Sequence, residues 1–179
     1  MLDEKNTGLI VIDIQGKLAQ TVYQSDVFLA RCEQLIRAAG LLSLPTLWLE
    51  QAPEKLGPTA PSLQSLIESD ALITKNTFDA CQNEQFLKAI EHTGKKQWLI
   101  CGIEAHICVY QTSLALLDLG YTVLPVSDAI SSRAADNKHL ALANLRGGGA
   151  SITSVEMCLY QLMGNSKHPC FGEILSLIK

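Results

Sequence analysis

Three side chains that could share one proton stand at or just beyond the ends of apolar runs. Asp13 closes Leu9-Ile-Val-Ile, Lys75 closes Leu72-Ile-Thr, and Cys108 follows the turn after Trp98-Leu-Ile-Cys-Gly102. A free thiol has a pKa of about 8.5, so only a few per cent is thiolate at neutral pH. A lone carboxylate beside it would suppress ionisation further, because like charges resist forming together. A lysine resolves the conflict, since one cation stabilises one shared negative charge. Asp13 could then take the thiol proton, and Cys108 could attack an acyl carbon. Asp13 would next protonate the leaving group and later activate water to clear the thioester. The developing oxyanion needs backbone N–H donors, which the Gly102–Cys108 turn can present. The place of Cys108 in the first turns of a helix predicts a lowered thiol pKa, and the three groups titrate as one unit. Each residue also has a plain structural reading: Cys108 as inert core, Asp13 as a loop cap, Lys75 as a solvated strand end.

The trio has meaning only if the chain brings its strand ends together. Gly8–Gln15 reads as a first strand and residues 25–42 as a helix opened by Ser25 or Asp26. Pro45–Glu50 is a second strand. Gln51–Pro61, with three prolines and a glycine, reads as a long loop fit to wall a pocket, with a short helix at 63–67 after it. Ala71–Lys75 reads as a third strand, 83–92 as a helix, and Trp98–Cys101 as a fourth strand leading into an apolar helix that runs to Leu119. Tyr121–Val126 is a fifth strand, 136–146 a helix ended by Gly147–Gly149, and Ser151–Thr153 a short sixth strand. Helices at 155–163 and 172–178 close the chain. Strands alternating with helices predict one α/β domain over residues 1–179, a three-layer, doubly wound, mainly parallel six-stranded Rossmann-like sheet. Such sheets bind ligands at the carboxyl ends of their strands, where Asp13, Lys75 and the turn to Cys108 all fall.

Composition narrows the function. The chain has 179 residues, 47% hydrophobic and 18% charged, with a net charge of −4. This balance disfavours a nucleic-acid groove, and no apolar run reaches the roughly 20 residues of a membrane span. The acidic N-terminus is neither a signal nor a transit peptide, so the expected location is cytoplasmic, with the six scattered cysteines reduced. The expected partner is a small-molecule substrate. Apolar helices and the C-terminal stripe of Phe171, Ile174, Leu175 and Ile178 add the expectation of a homo-oligomer.

Leu9-Ile-Val-Ile-Asp13, Lys75 after its strand, and Cys101-Gly-Ile-Glu-Ala-His-Ile-Cys-Val109 resemble the isochorismatase-like cysteine hydrolases. Leu56-Gly-Pro-Thr59 and Ser127-Asp-Ala-Ile-Ser-Ser-Arg133 extend the resemblance. It implies the Asp13–Lys75–Cys108 mechanism and a cis peptide between Ile103 and Glu104 that aims the N–H groups of Glu104 and Cys108 at the oxyanion. It also suggests that Gln15, Glu50, Phe78 and Tyr110 line the pocket. Nicotinamidase members carry an Asp-x-His metal arm where this chain has Glu50-Gln51-Ala52, and His92, His106, His139 and His168 lack metal-ligand spacing, so no metal and no cofactor are expected. Asp128 and Arg133 read as a structural ion pair. Three other readings compete. A thiol redox protein using Cys101 lacks a C-x-x-C pair, and a nucleotide-binding Rossmann domain lacks G-x-G-x-x-G. A catalytically silent assembly protein would keep the fold without turnover.

Overall fold

The computed structural model describes residues 1–67 and 72–179. Its sheet is parallel, in the order β3-β2-β1-β4-β5. The strands are β1 (Thr7–Ile12), β2 (Thr46–Gln51), β3 (Leu72–Lys75), β4 (Gln97–Gly102) and β5 (Thr122–Ile130). Alternation within β1 explains the layering, because successive side chains point to opposite faces. Leu9 and Val11 enter one core and Ile10 and Ile12 the other. The helices are α1 (Leu18–Thr21), α2 (Ser25–Leu41), α3 (Pro53–Leu56), α4 (Pro61–Gln64), α5 (Glu84–Thr93), α6 (Tyr110–Asp118), α7 (Ala135–Gly147), α8 (Val155–Met163) and α9 (Phe171–Ile178). The first core takes α1, α2, α4, α8 and α9; the second takes α5, α6 and α7.

Several expectations change. Among the described residues the sheet has five strands, not six, because Thr153 makes only an isolated bridge to Val126. β5 itself is longer than expected and shifts register against β4 between Ile100 and Gly102. Its Pro125 is tolerated because β5 is an edge strand, where one missing N–H breaks no inner ladder. Helix α2 starts without a side-chain cap from Ser25 or Asp26, on a left-handed Gln24 instead. The expected long loop after β2 contains the short helix α3, and the short helix expected at 63–67 is found earlier, as α4. Ala71, expected to open the third strand, lies outside the described residues. Of the expected C-terminal stripe, Ile174 is fully buried and Phe171 and Ile178 pack against the chain's own core, joined by Leu177, whereas Leu175 is not part of that core.

Candidate active site

In the order β3-β2-β1-β4-β5 the chain leaves β1 toward one edge and later returns to build the other half from β4. The crevice beyond the carboxyl ends of β1 and β4 is therefore the switch point where such sheets hold ligands. Asp13 directly follows β1 with φ +53°, a left-handed conformation uncommon for a residue with a side chain. Gly102 ends β4 with φ +127°, and an added Cβ would stand 2.0 Å from the Ile12 carbonyl oxygen. Only glycine lets β4 lie this close to β1 while turning away. The next peptide, Ile103–Glu104, is cis, as the resemblance implied. The chain then enters a π-helical turn, Ala105–Val109, that carries Cys108 into α6.

Lys75 Nζ donates to Asp13 Oδ2 at 2.6 Å, to Gln51 Oε1 at 2.8 Å and to the Thr77 carbonyl at 3.3 Å. Its side chain is 0% exposed, so all three ammonium hydrogens find protein acceptors, as burial of a charge requires. Asp13 Oδ1 is buried with no hydrogen-bond partner among the described residues. The Cys108 thiol bears on both Asp13 and Lys75. Burial pushes the Asp13 carboxyl above its ordinary value, against the pull of Lys75.

The expected low-pKa thiol is not found. Burial pushes Cys108 up to about 12, the Asp13 carboxylate adds to this, and Lys75 opposes it. The reason is local: Cys108 sits in the π-helical turn before α6, buried against a carboxylate, so desolvation outweighs any helix-terminus field. Burial thus favours the protonated thiol, beside a Lys75-paired Asp13 whose second oxygen makes no hydrogen bond among the described residues.

A cavity of about 140 Å³ opens over this group, lined by Asp13, Gln51, Glu104 and Cys108 with an apolar wall of Leu18, Leu56, Phe78, Ile103 and Ile107. Of the four pocket residues suggested by resemblance, Phe78 lines it, 54% exposed at the rim. Gln15 and Glu50 do not line it but hold its walls. Gln15 Nε2 donates to the carbonyls of Gln51 and Gly57, and its Oε1 accepts from Gln51 N. Glu50 Oε1 accepts from the N–H and hydroxyl of Thr59 at 2.6 and 2.7 Å. Tyr110 opens α6 and is not among the lining residues. The expected Asp128–Arg133 pair is replaced. Asp128 caps α8 by accepting from Val155 N and lies 3.9 Å from Arg31, whereas Arg133 pairs with Glu104 at 3.1 Å. Sequence reasoning missed Gln51 as the third partner of Lys75 and missed Leu18, Leu56 and Ile107 as wall; only their places just beyond strand ends signalled them.

Among the described residues no group of three His, Cys, Asp or Glu is placed to hold a metal ion. His106 meets Ser132 and Asn137, and His168 meets Glu4.

These features define a three-layer α/β fold with a parallel sheet and a cysteine at its switch point. The isochorismatase domain matches residues 7–157, and the chain belongs to the isochorismatase family. It is 35% identical over 178 residues to isochorismatase domain-containing protein 2 of Danio rerio, covering 99% of this chain and 89% of the relative. The MAR1 ribonuclease structure from Caenorhabditis elegans matches with TM-score 0.90 and 35% identity, covering 99% of this chain and 91% of that one. The YcaC gene product of Escherichia coli, an octameric hydrolase of unknown specificity, matches at 0.93 and 26% identity, covering 98% and 89%. YcaC from Pseudomonas aeruginosa, with hexane-2,5-diol and covalent acrylamide, matches at 0.93 and 27%, covering 98% and 90%.

Proposed function

We propose that this chain is a cysteine hydrolase that cleaves the C–N bond of a small amide, or a related acyl bond, through a thioester on Cys108. The observation that carries the reading is the convergence of Cys108 and Asp13 at one cavity, with Lys75 held on Asp13 behind them and Asp13 Oδ1 left without a hydrogen bond to receive a proton. Cys108 passes its proton to Asp13 as sulfur bonds to the acyl carbon, so no free thiolate need accumulate. The oxyanion meets the backbone N–H groups of Glu104 and Cys108. The C–N bond then breaks and the amine leaves with the proton from Asp13. Water gives a proton to Asp13 as it attacks the thioester, and the acid departs as the thiol re-forms. The covalent acrylamide on the Pseudomonas relative supports the reading, since acrylamide is an electrophile of the kind thiols attack. A polyanionic nucleic-acid substrate, suggested by the name of the Caenorhabditis relative, fits less well with a small, mostly apolar cavity of about 140 Å³ that includes the Asp13 carboxylate.

Ammonia release from a panel of small amides, with mass spectrometry of the quenched protein, tests the proposal. Turnover with an acyl adduct on Cys108 is expected, and Cys108→Ala should remove on the order of 10⁴-fold or more of it. Activity should persist in chelator. A panel with neither turnover nor adduct would favour the silent assembly protein.

A further inference from the structure

We propose that the cavity over Cys108 selects an uncharged acyl group and rejects one that carries a carboxylate. This rests on Cys108 as the nucleophile. The lining presents the Asp13 carboxylate and otherwise Glu104, Gln51, Cys108 and apolar side chains, and the Glu104 carboxylate is tied to Arg133. Neither cation that balances those carboxylates lines the cavity. Lys75 is buried behind Asp13 with its three ammonium hydrogens already on Asp13, Gln51 and the Thr77 carbonyl. Arg133 holds Glu104 Oε1 through both its backbone N–H and its Nε, and its guanidinium lies outward, the side chain 64% exposed. An anion entering would shed water against Leu18, Leu56, Phe78 and Ile107 and find no unengaged cation among the lining residues. It would also meet the like charge of the Asp13 carboxylate at short range. A neutral acyl group meets none of these penalties.

Paired alkylating reagents read this selection without needing turnover. Iodoacetamide and iodoacetate form the same sulfur–carbon bond and expel the same iodide, but only the second brings a carboxylate. Their rates at Cys108 of the full chain, followed by peptide mapping, are each divided by the rate for a small free thiol. The normalised preference for iodoacetamide should be at least about tenfold. Equal normalised rates, or a preference for iodoacetate, would overturn the selection and leave the nucleophile standing. Labelling of Cys108 by neither reagent would remove the nucleophile and this inference with it.

Discussion

In the proposed mechanism Asp13 is the residue on which the chemistry turns, because it alone touches the cation, bears on the thiol and keeps one oxygen without a hydrogen bond. It works as a base only when ionised, and burial raises its pKa above the ordinary 3.8. The sign follows directly: kcat/KM should rise with pH through that raised value and be lost below it. Asp13→Asn should lower kcat/KM by roughly 10²–10⁴-fold and abolish the acid limb. Lys75→Met should move the limb to higher pH, since its charge is what opposes the burial of Asp13. A pH–rate profile with the same acid limb in wild type and Asp13→Asn would sink the assignment. The three residue types were legible in the sequence because each closes or follows an apolar strand. The state of the thiol was not. Its pKa depends on how deeply a π-helical turn buries Cys108 against Asp13, and spacing carries no measure of depth.

At the scale of elements, β1 and β4 were legible from their unbroken apolar runs, and the parallel, doubly wound sheet followed from strand–helix alternation, although its order did not. Ser151–Thr153 misled because a β-branched, half-buried triplet looks the same whether it joins a ladder or bridges it once. The pairing of Glu104 with Arg133 was illegible, since ion pairs 29 residues apart depend on where two turns meet. The same holds for Glu50, which served better as a latch than as a pocket residue. Its carboxylate ties the end of β2 to Thr59, and Gln15 ties the loop carbonyl of Gly57, so together they fix α3 and the wall residue Leu56. Glu50→Ala leaves the Thr59 N–H and hydroxyl without their acceptor, and should lose about 2–3 kcal/mol in denaturant unfolding. KM should rise severalfold with a smaller change in kcat, because the wall loosens while Asp13, Lys75 and Cys108 stay paired. Glu50→Gln, which keeps one acceptor, should recover part of both. Unchanged stability and KM in Glu50→Ala would show that the loop holds itself.

The whole molecule raises the question of assembly. Three of the four residues of the C-terminal stripe that suggested an oligomer, Phe171, Ile174 and Ile178, pack on the chain's own core, so α9 gives it little support. Other apolar side chains do face solvent: Leu119 after α6 and Leu140 on α7 are 55% and 59% exposed, and Met157 and Tyr160 on α8 are 57% and 42%. Single exposed apolar residues are ordinary. Here they lie on both helical layers, in a chain with mean hydropathy +0.17, and a relative of the same fold is an octamer. A closed symmetric assembly would cover such surfaces, and the Phe78 rim would gain a neighbour if the cavity mouth lay near a contact. We therefore predict that light scattering behind a sizing column gives a mass that is a multiple of 19.5 kDa at micromolar concentration. The double variant Leu119→Glu/Leu140→Glu places charge on the α6–α7 layer without touching the buried core, and should shift the species toward the monomer if that layer forms the contact. Met157→Glu/Tyr160→Glu does the same for α8, so the pair of variants assigns the face. A single 19.5 kDa species in the wild type would overturn the oligomer altogether.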